Sequence, residues 1–90
     1  MPRGPYSEQP QQRRRVRVRG VVQGVGFRPT VFRLTTEEAL TGWVRNDGEG
    51  VVLEVQGAAA GLDRFVQRLQ TEAPPLARID AVETEALPED

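Results

Sequence analysis

The chain has 90 residues, of which 38% are hydrophobic and 28% are charged, and its formal net charge is −1. It contains no cysteine and no histidine, which excludes disulfide frameworks, thiolate or imidazole metal sites, and Ser–His–Asp or Cys–His catalysis. No apolar run approaches the ~20 residues of a membrane-spanning helix and no signal peptide is recognisable, so we expect one cytoplasmic domain.

The N-terminal part of the chain changes character at Arg13. Residues 1–12 combine proline, glycine and glutamine without periodic apolar positions, which is typical of a disordered tail, and the domain is expected over residues 13–90. The arginines that follow, over residues 13–19, indicate either a nucleic-acid-binding arm or the outward positions of a strand. Because acidic residues dominate the C-terminal part and the chain as a whole is not basic, we do not expect a nucleic-acid partner.

The next segment predicts a strand and then a helix. Valines at 16, 18 and 22 follow the period of a strand with one buried face. Pro29 stands where a helix can begin, since the first helical N–H groups have no partner to lose, and the helix is predicted over Thr30–Ala39. Its apolar positions are Phe27, Val31 and Leu34.

A hairpin, a second helix and a last strand are predicted beyond it. Strands over Gly42–Asn46 and Val51–Val55 are joined by the turn residues Asp47–Gly50. Helical spacing relates Leu62, Phe65, Val66 and Leu69. Pro74-Pro75 ends that helix, and Ile79–Glu85 is the final strand. The arginines at 45, 64 and 68 are interpreted as solvated surface.

The order β-α-β-β-α-β predicts an α+β fold of the ferredoxin-like type. Two right-handed crossovers and one central hairpin give a four-stranded antiparallel sheet with both helices on one face. This topology carries many unrelated functions, so the function must be argued from a site.

The loop before the first helix is the candidate site. Glycines at 20, 24 and 26 allow the backbone to curl so that successive N–H groups converge on an anion. The helix that follows adds the positive end of its dipole, and Arg28 adds a charged fork that suits the paired oxygens of a phosphate. The alternative is an ordinary glycine-rich turn beside a surface arginine.

Two stretches resemble the signatures of the acylphosphatase family. They are residues 20–28 (GVVQGVGFR) and residues 42–46 (GWVRN). Within the family, the sequences of residues 27–29, 45–47 and 74–80 most resemble the N-terminal acylphosphatase domain of the carbamoyltransferases of NiFe-hydrogenase maturation. Those carbamoyltransferases continue into further domains. The chain departs from the family pattern at Ala39, where glycine is usual at the helix end, which puts the local helix cap in doubt.

The resemblance implies hydrolysis of acyl phosphates, carbamoyl phosphate among them, to a carboxylate and inorganic phosphate. It implies that Arg28 binds the phosphate and that Asn46 orients the attacking water. Because an acyl phosphate is already activated and the chain has neither cysteine nor histidine, no metal or cofactor is expected. The phosphate-binding loop would comprise Gln23, Gly24, Val25, Gly26, Phe27 and Arg28. An amide can hold water but takes no proton at neutral pH, so the proton is expected to go to the substrate's own phosphate oxygen. Asp47 and Glu49, the nearby carboxylates, are interpreted as turn-forming residues.

Two other hypotheses remain open from the sequence. The same loop would serve a non-catalytic anion-binding module. An RNA-binding domain of the same topology is a further alternative, although the central strands lack the aromatic side chains on which such domains stack bases.

Overall fold

The computed structural model describes residues 11–88, and its elements follow the predicted order. They are β1 (Gln11–Val21), α1 (Phe27–Glu37), β2 (Thr41–Asp47), β3 (Gly50–Ala58), α2 (Ala59–Thr71) and β4 (Arg78–Leu87). The strands form one antiparallel sheet in the order β2-β3-β1-β4. The predicted ferredoxin-like fold is confirmed. Neither helix of this part of the chain has the length and apolar character needed to cross a membrane.

The hydrophobic core lies between one face of the sheet and both helices. Val16 and Val18 of β1 are fully buried, and so are Val51 and Leu53, their partners on β3. Alternation along each strand directs these side chains to the same face. The helix residues packed against them are Phe27, Val31 and Leu34 from α1 and Leu62, Phe65 and Leu69 from α2. The apolar positions predicted from periodicity therefore form the core.

Several helix and strand boundaries in the structure differ from the predicted ones. Helix α1 begins at Phe27, three residues before the predicted start, so that Pro29 is its third residue. This is tolerated because the first four N–H groups of a helix have no intrahelical acceptor, and the missing N–H of proline removes nothing. Gln11 and Gln12, which the sequence placed in the tail, begin β1; the rest of the tail, residues 1–10, lies outside the described residues.

Helix α1 ends in a Schellman motif. The N–H of Leu40 donates to the carbonyl of Thr35 at 2.8 Å, and the N–H of Ala39 donates to that of Thr36 at 3.2 Å. This closure requires a left-handed residue, and Ala39 takes it with φ of 58°. The helix was predicted to extend through Ala39. The structure ends it at Glu37, because the left-handed turn at Ala39 breaks the helical repeat.

We expect Ala39→Gly to stabilise the fold. A left-handed conformation costs an L-residue with a Cβ about 1–2 kcal/mol, which glycine avoids, although glycine also makes the unfolded chain more flexible. The net gain is expected to be about 1 kcal/mol, or roughly 4–8 °C in the thermal midpoint of a domain of this size. Thermal unfolding followed by circular dichroism measures it; an unchanged or lower midpoint would contradict this explanation of the helix end.

Four arginines of β1, at positions 13, 15, 17 and 19, occupy outward strand positions, and three of them, Arg13, Arg15 and Arg19, form ion pairs across that face. Arg15 lies between Glu54 of β3 and Glu85 of β4 in the register, and it contacts them at 3.0 and 3.5 Å. On the opposite face, Arg14 contacts Asp63 of α2 at 2.8 Å. These contacts favour the strand interpretation of the arginine-rich segment over the nucleic-acid arm.

Glu38 joins the end of α1 to α2. Its side chain is only 8% exposed and accepts hydrogen bonds from Arg64 at 2.8 Å and from Arg68 at 3.1 Å. The hydrogen bond from Arg64 is the main reason that the pKa of Glu38 lies below its usual value of 4.5, and it outweighs the opposing effect of burial. Arg64 and Arg68, interpreted from the sequence as solvated surface, are therefore part of an interhelical contact.

This contact predicts an acid-sensitive contribution to stability. Because the pKa of Glu38 is lower in the folded than in the unfolded chain, the contribution is complete above 4.5 and is lost as the pH falls through the folded value. We expect Glu38→Gln to lower the urea midpoint at neutral pH, with a difference from the parent that shrinks as the pH is lowered below 4.5. A difference that stays constant over this range would assign the effect to packing and not to charge.

Candidate active site

The loop between β1 and α1 is shaped by two glycines. Gly24 and Gly26 have φ angles of 75° and 86°, which lie in the left-handed region that glycine adopts without strain. A Cβ at position 24 would meet no atom within 4 Å. Glycine is therefore required there by the backbone conformation and not by steric crowding. The predicted curled loop is present.

The amides of this loop are left without acceptors. Within residues 11–88, the backbone N–H groups of residues 24–28 donate no hydrogen bond to the protein. Gly26 is the N-cap of α1 and supplies no side-chain cap, and the first turn holds no acidic residue. The start of the helix therefore presents free N–H groups and the positive end of its dipole, an arrangement that binds anions.

Arg28 adds a charge to this loop. Its side chain is exposed, and it forms no ion pair or hydrogen bond with the other residues of the described range, 11–88. Arg15, Arg33 and Arg68, in contrast, each contact at least two carboxylates. Arg28 is thus a cation whose guanidinium remains available to a ligand.

Asn46, the second candidate catalytic residue, lies near the end of β2. It is the penultimate residue of β2, paired with Val51 of β3, and its exposed side-chain amide has no hydrogen-bond partner among residues 11–88. The carboxylate of Asp47 instead accepts a hydrogen bond from the N–H of Glu49 at 2.9 Å, which supports the interpretation of Asp47 as a turn-forming residue.

An open pocket of about 310 Å³ brings these groups together. Its lining comprises Val22, Gln23, Gly24, Gly26, Phe27, Arg28, Pro29 and Asn46. Of the predicted site residues, Val25 is the one outside this lining, and its side chain packs against the core. Phe27 is 1% exposed, so its side chain is a core residue and only its backbone amide is offered to a ligand. Val22 and Pro29 also line the pocket, in addition to the residues predicted for the site.

The side chain of Gln23 has a role that the sequence did not indicate. Its Nε2 atom donates to the carbonyl of Asp47 at 2.9 Å and to that of Gly50 at 2.7 Å. These hydrogen bonds connect the loop to the β2–β3 hairpin. No local sequence pattern predicts a hydrogen bond between residues so far apart in the chain.

The pocket has the chemistry of an oxyanion site. It offers free N–H groups, a guanidinium and a neutral amide, and it offers no side chain that titrates near neutral pH. The described range 11–88 contains no cluster of three or more Asp or Glu residues that could hold a metal ion. The arrangement can bind a phosphoryl group and place a water molecule beside it.

Comparisons with known proteins point to one family. The family profile described as Acylphosphatase matches residues 14–90. The chain is 58% identical over 82 residues to Carbamoyltransferase HypF2 of Cupriavidus necator, which covers 91% of this chain and 10% of that protein. It is 40% identical over 77 residues to the Acylphosphatase of Oceanobacillus iheyensis, which covers 84% of this chain and 85% of that protein.

A solved structure agrees with both sequence comparisons. The fold superposes on an acylphosphatase from Coxiella burnetii with a TM-score of 0.81 and 35% identity, covering 89% of this chain and 85% of that one. The chain spans about a tenth of the length of the HypF carbamoyltransferases that it matches. Because the family profile and the fold both extend over nearly the whole described range, the chain belongs to the acylphosphatase family.

Proposed function

We propose that this chain hydrolyses the carboxyl–phosphate bond of acyl phosphates, releasing a carboxylate and inorganic phosphate. One observation carries the proposal. Arg28 and Asn46, both without partners among residues 11–88, line a single pocket together with the uncapped start of α1. Membership of the acylphosphatase family supports the same reaction class.

The phosphoryl group would bind in the glycine loop. The free N–H groups of residues 24–28 donate to its oxygens, and the guanidinium of Arg28 forms charge-assisted hydrogen bonds to them. In a loose transition state the charge is spread over these oxygens, so donors fixed in advance stabilise it without reorganising. An acyl phosphate is already an activated substrate, and this electrostatic contribution is the main one required.

The attacking water would be held by Asn46. Its amide has both a donor and an acceptor, so it can fix the position and the orientation of one water molecule. It cannot act as a base, and the described residues that line the pocket include no carboxylate or histidine. The water's proton therefore passes to an oxygen of the phosphoryl group, the P–O bond to the acyl group breaks, and the carboxylate leaves.

The longer relatives suggest a more specific substrate. Several of the similar proteins are named carbamoyltransferases, and this chain corresponds to about a tenth of their length. We take residues 13–90 as an acylphosphatase-like domain that processes carbamoyl phosphate, the acyl phosphate with the smallest nitrogen-bearing acyl group. In that setting, further domains of a longer chain would be its partners.

Phosphate release tests the proposal and separates it from a non-catalytic anion-binding module. The purified chain is incubated with benzoyl phosphate or carbamoyl phosphate, with and without excess chelator, and inorganic phosphate is followed. We expect release above the buffer rate for at least one substrate, unchanged by the chelator. Competitive binding of inorganic phosphate without any release would show that the pocket binds anions only.

A further inference from the structure

The two proposed catalytic groups come from different elements. Arg28 is in the first turn of α1, whereas Asn46 is at the end of β2, directly before the hairpin of residues 47–50. Their relative position therefore depends on how the loop before α1 is held against that hairpin. A misplacement of about 1 Å at a reacting group can lower a rate by about 10²-fold.

The side chain of Gln23 makes this connection. It donates to the carbonyl of Asp47 at 2.9 Å, the residue adjoining Asn46, and to the carbonyl of Gly50 at 2.7 Å on the far side of the turn. The N–H of Gly20 adds one backbone contact to the same hairpin, at 3.1 Å from the carbonyl of Glu49. Gly50 itself lies against β1, since a Cβ there would be 1.9 Å from the carbonyl oxygen of Val18.

These contacts also exclude Gln23 as a side-chain ligand of the phosphate. A primary amide has two N–H donors, and both are used by the two carbonyls. The remaining group, Oε1, is an acceptor and would repel a phosphate oxygen. Gln23 was predicted to be part of the phosphate-binding loop. Its backbone belongs to that loop, but its side chain binds the carbonyls of the hairpin.

We infer that Gln23 is a positioning residue, which ties the phosphate loop to the β2–β3 hairpin and so fixes Asn46 and its water relative to Arg28. The inference rests on the proposed acyl phosphate hydrolysis and assigns the control of its geometry to one side chain. Gln23 acts through Asn46, and it touches neither the substrate nor the water.

The test uses Gln23→Met, which keeps the length of the side chain, stays neutral and donates no hydrogen bond. Gln70→Met is the matched control, because Gln70 also donates from its amide to a backbone carbonyl, that of Val66 at 3.2 Å, on the exposed surface of α2. We expect Gln23→Met to lower kcat about tenfold, with KM and the inhibition constant of inorganic phosphate within about twofold of the parent. Gln70→Met should retain the parent kcat.

A double-mutant cycle separates positioning from general destabilisation. If Gln23 acts through Asn46, then Gln23→Met lowers kcat no further in a chain that already carries Asn46→Ala. An equal loss in both backgrounds would overturn the inference, and so would a raised KM at constant kcat. Thermal unfolding of each variant is measured beside the kinetics, because a structural effect would lower the midpoint without this dependence on Asn46.

Side-chain NMR signals give a readout that does not require activity. In ¹⁵N-labelled protein, Gln23→Met is expected to shift the side-chain amide signals of Asn46 and the backbone amide signal of Gly50, whereas Gln70→Met leaves both in place. Unchanged signals in Gln23→Met would overturn the inference even if the chain hydrolyses acyl phosphates. Conversely, if Gln23→Met shifts these signals but the parent chain shows no turnover, the positioning contact is supported and only the proposed function is contradicted.

Discussion

Arg28→Ala is expected to lower kcat/KM for acyl phosphate hydrolysis by about 10²–10³-fold while leaving the fold intact. The loss follows from removing the only charged donor among the described residues that line the pocket. The fold should survive because the side chain is exposed and has no ion pair with residues 11–88, so its removal leaves no buried group without a partner. The inhibition constant of inorganic phosphate should rise in parallel.

Steady-state kinetics with benzoyl phosphate measure this loss, and Arg33→Ala is the matched control. Arg33 lies on the same helix and forms surface contacts with Glu37 and Glu72 at 3.6 and 3.4 Å, so its removal should change kcat/KM little. A folded Arg28→Ala chain with near-parental turnover would remove Arg28 from the mechanism.

Asn46→Ala is expected to separate chemistry from binding. If the amide holds the attacking water and not the substrate, kcat should fall by about 10²-fold with KM within about twofold of the parent. Asn46→Asp should also be poor, because a carboxylate at this place would repel the phosphoryl group. The same assay measures both variants.

The neighbouring Arg45 provides the control for Asn46. Side chains alternate along a strand, and the guanidinium of Arg45 stacks over the ring of Trp43 at 5.0 Å from its centroid, on the other face of the sheet. Arg45→Ala should therefore leave kcat unchanged. A tenfold rise in KM at constant kcat for Asn46→Ala would make Asn46 a substrate-binding group, in conflict with the water-holding role.

The fold was predictable because its core is periodic. Val16 and Val18 alternate along β1, and Leu62, Phe65 and Leu69 recur at helical spacing; all five of these side chains are buried. The start of α1 was not predictable to the residue, since proline is compatible with several positions in a first helical turn. The end of α1 depends on Ala39 in a conformation that its residue type disfavours, so propensity alone extends the helix too far.

The candidate site was predictable where it depends on local backbone. Gly24 and Gly26 adopt the positive φ angles that their spacing indicated, and Arg28 lies two residues after Gly26. The contacts of Gln23 and Glu38 were not predictable, because each joins residues more than twenty positions apart and is set by the packing of whole elements. In a chain whose basic residues are all arginine, the residue type could not distinguish Arg68, which has ion-pair partners, from Arg28, which has none among residues 11–88.

Hydrolysis of benzoyl phosphate in ¹⁸O-labelled water tests the central claim most directly. If Arg28 and the loop hold the phosphoryl group while Asn46 directs water to phosphorus, the label must appear in inorganic phosphate, as an isotope shift in its ³¹P NMR signal. The benzoate must remain unlabelled, and the label must enter phosphate about 10²-fold more slowly with Asn46→Ala than with the parent chain. Label in the benzoate, or release no faster than without protein, would contradict the proposed mechanism.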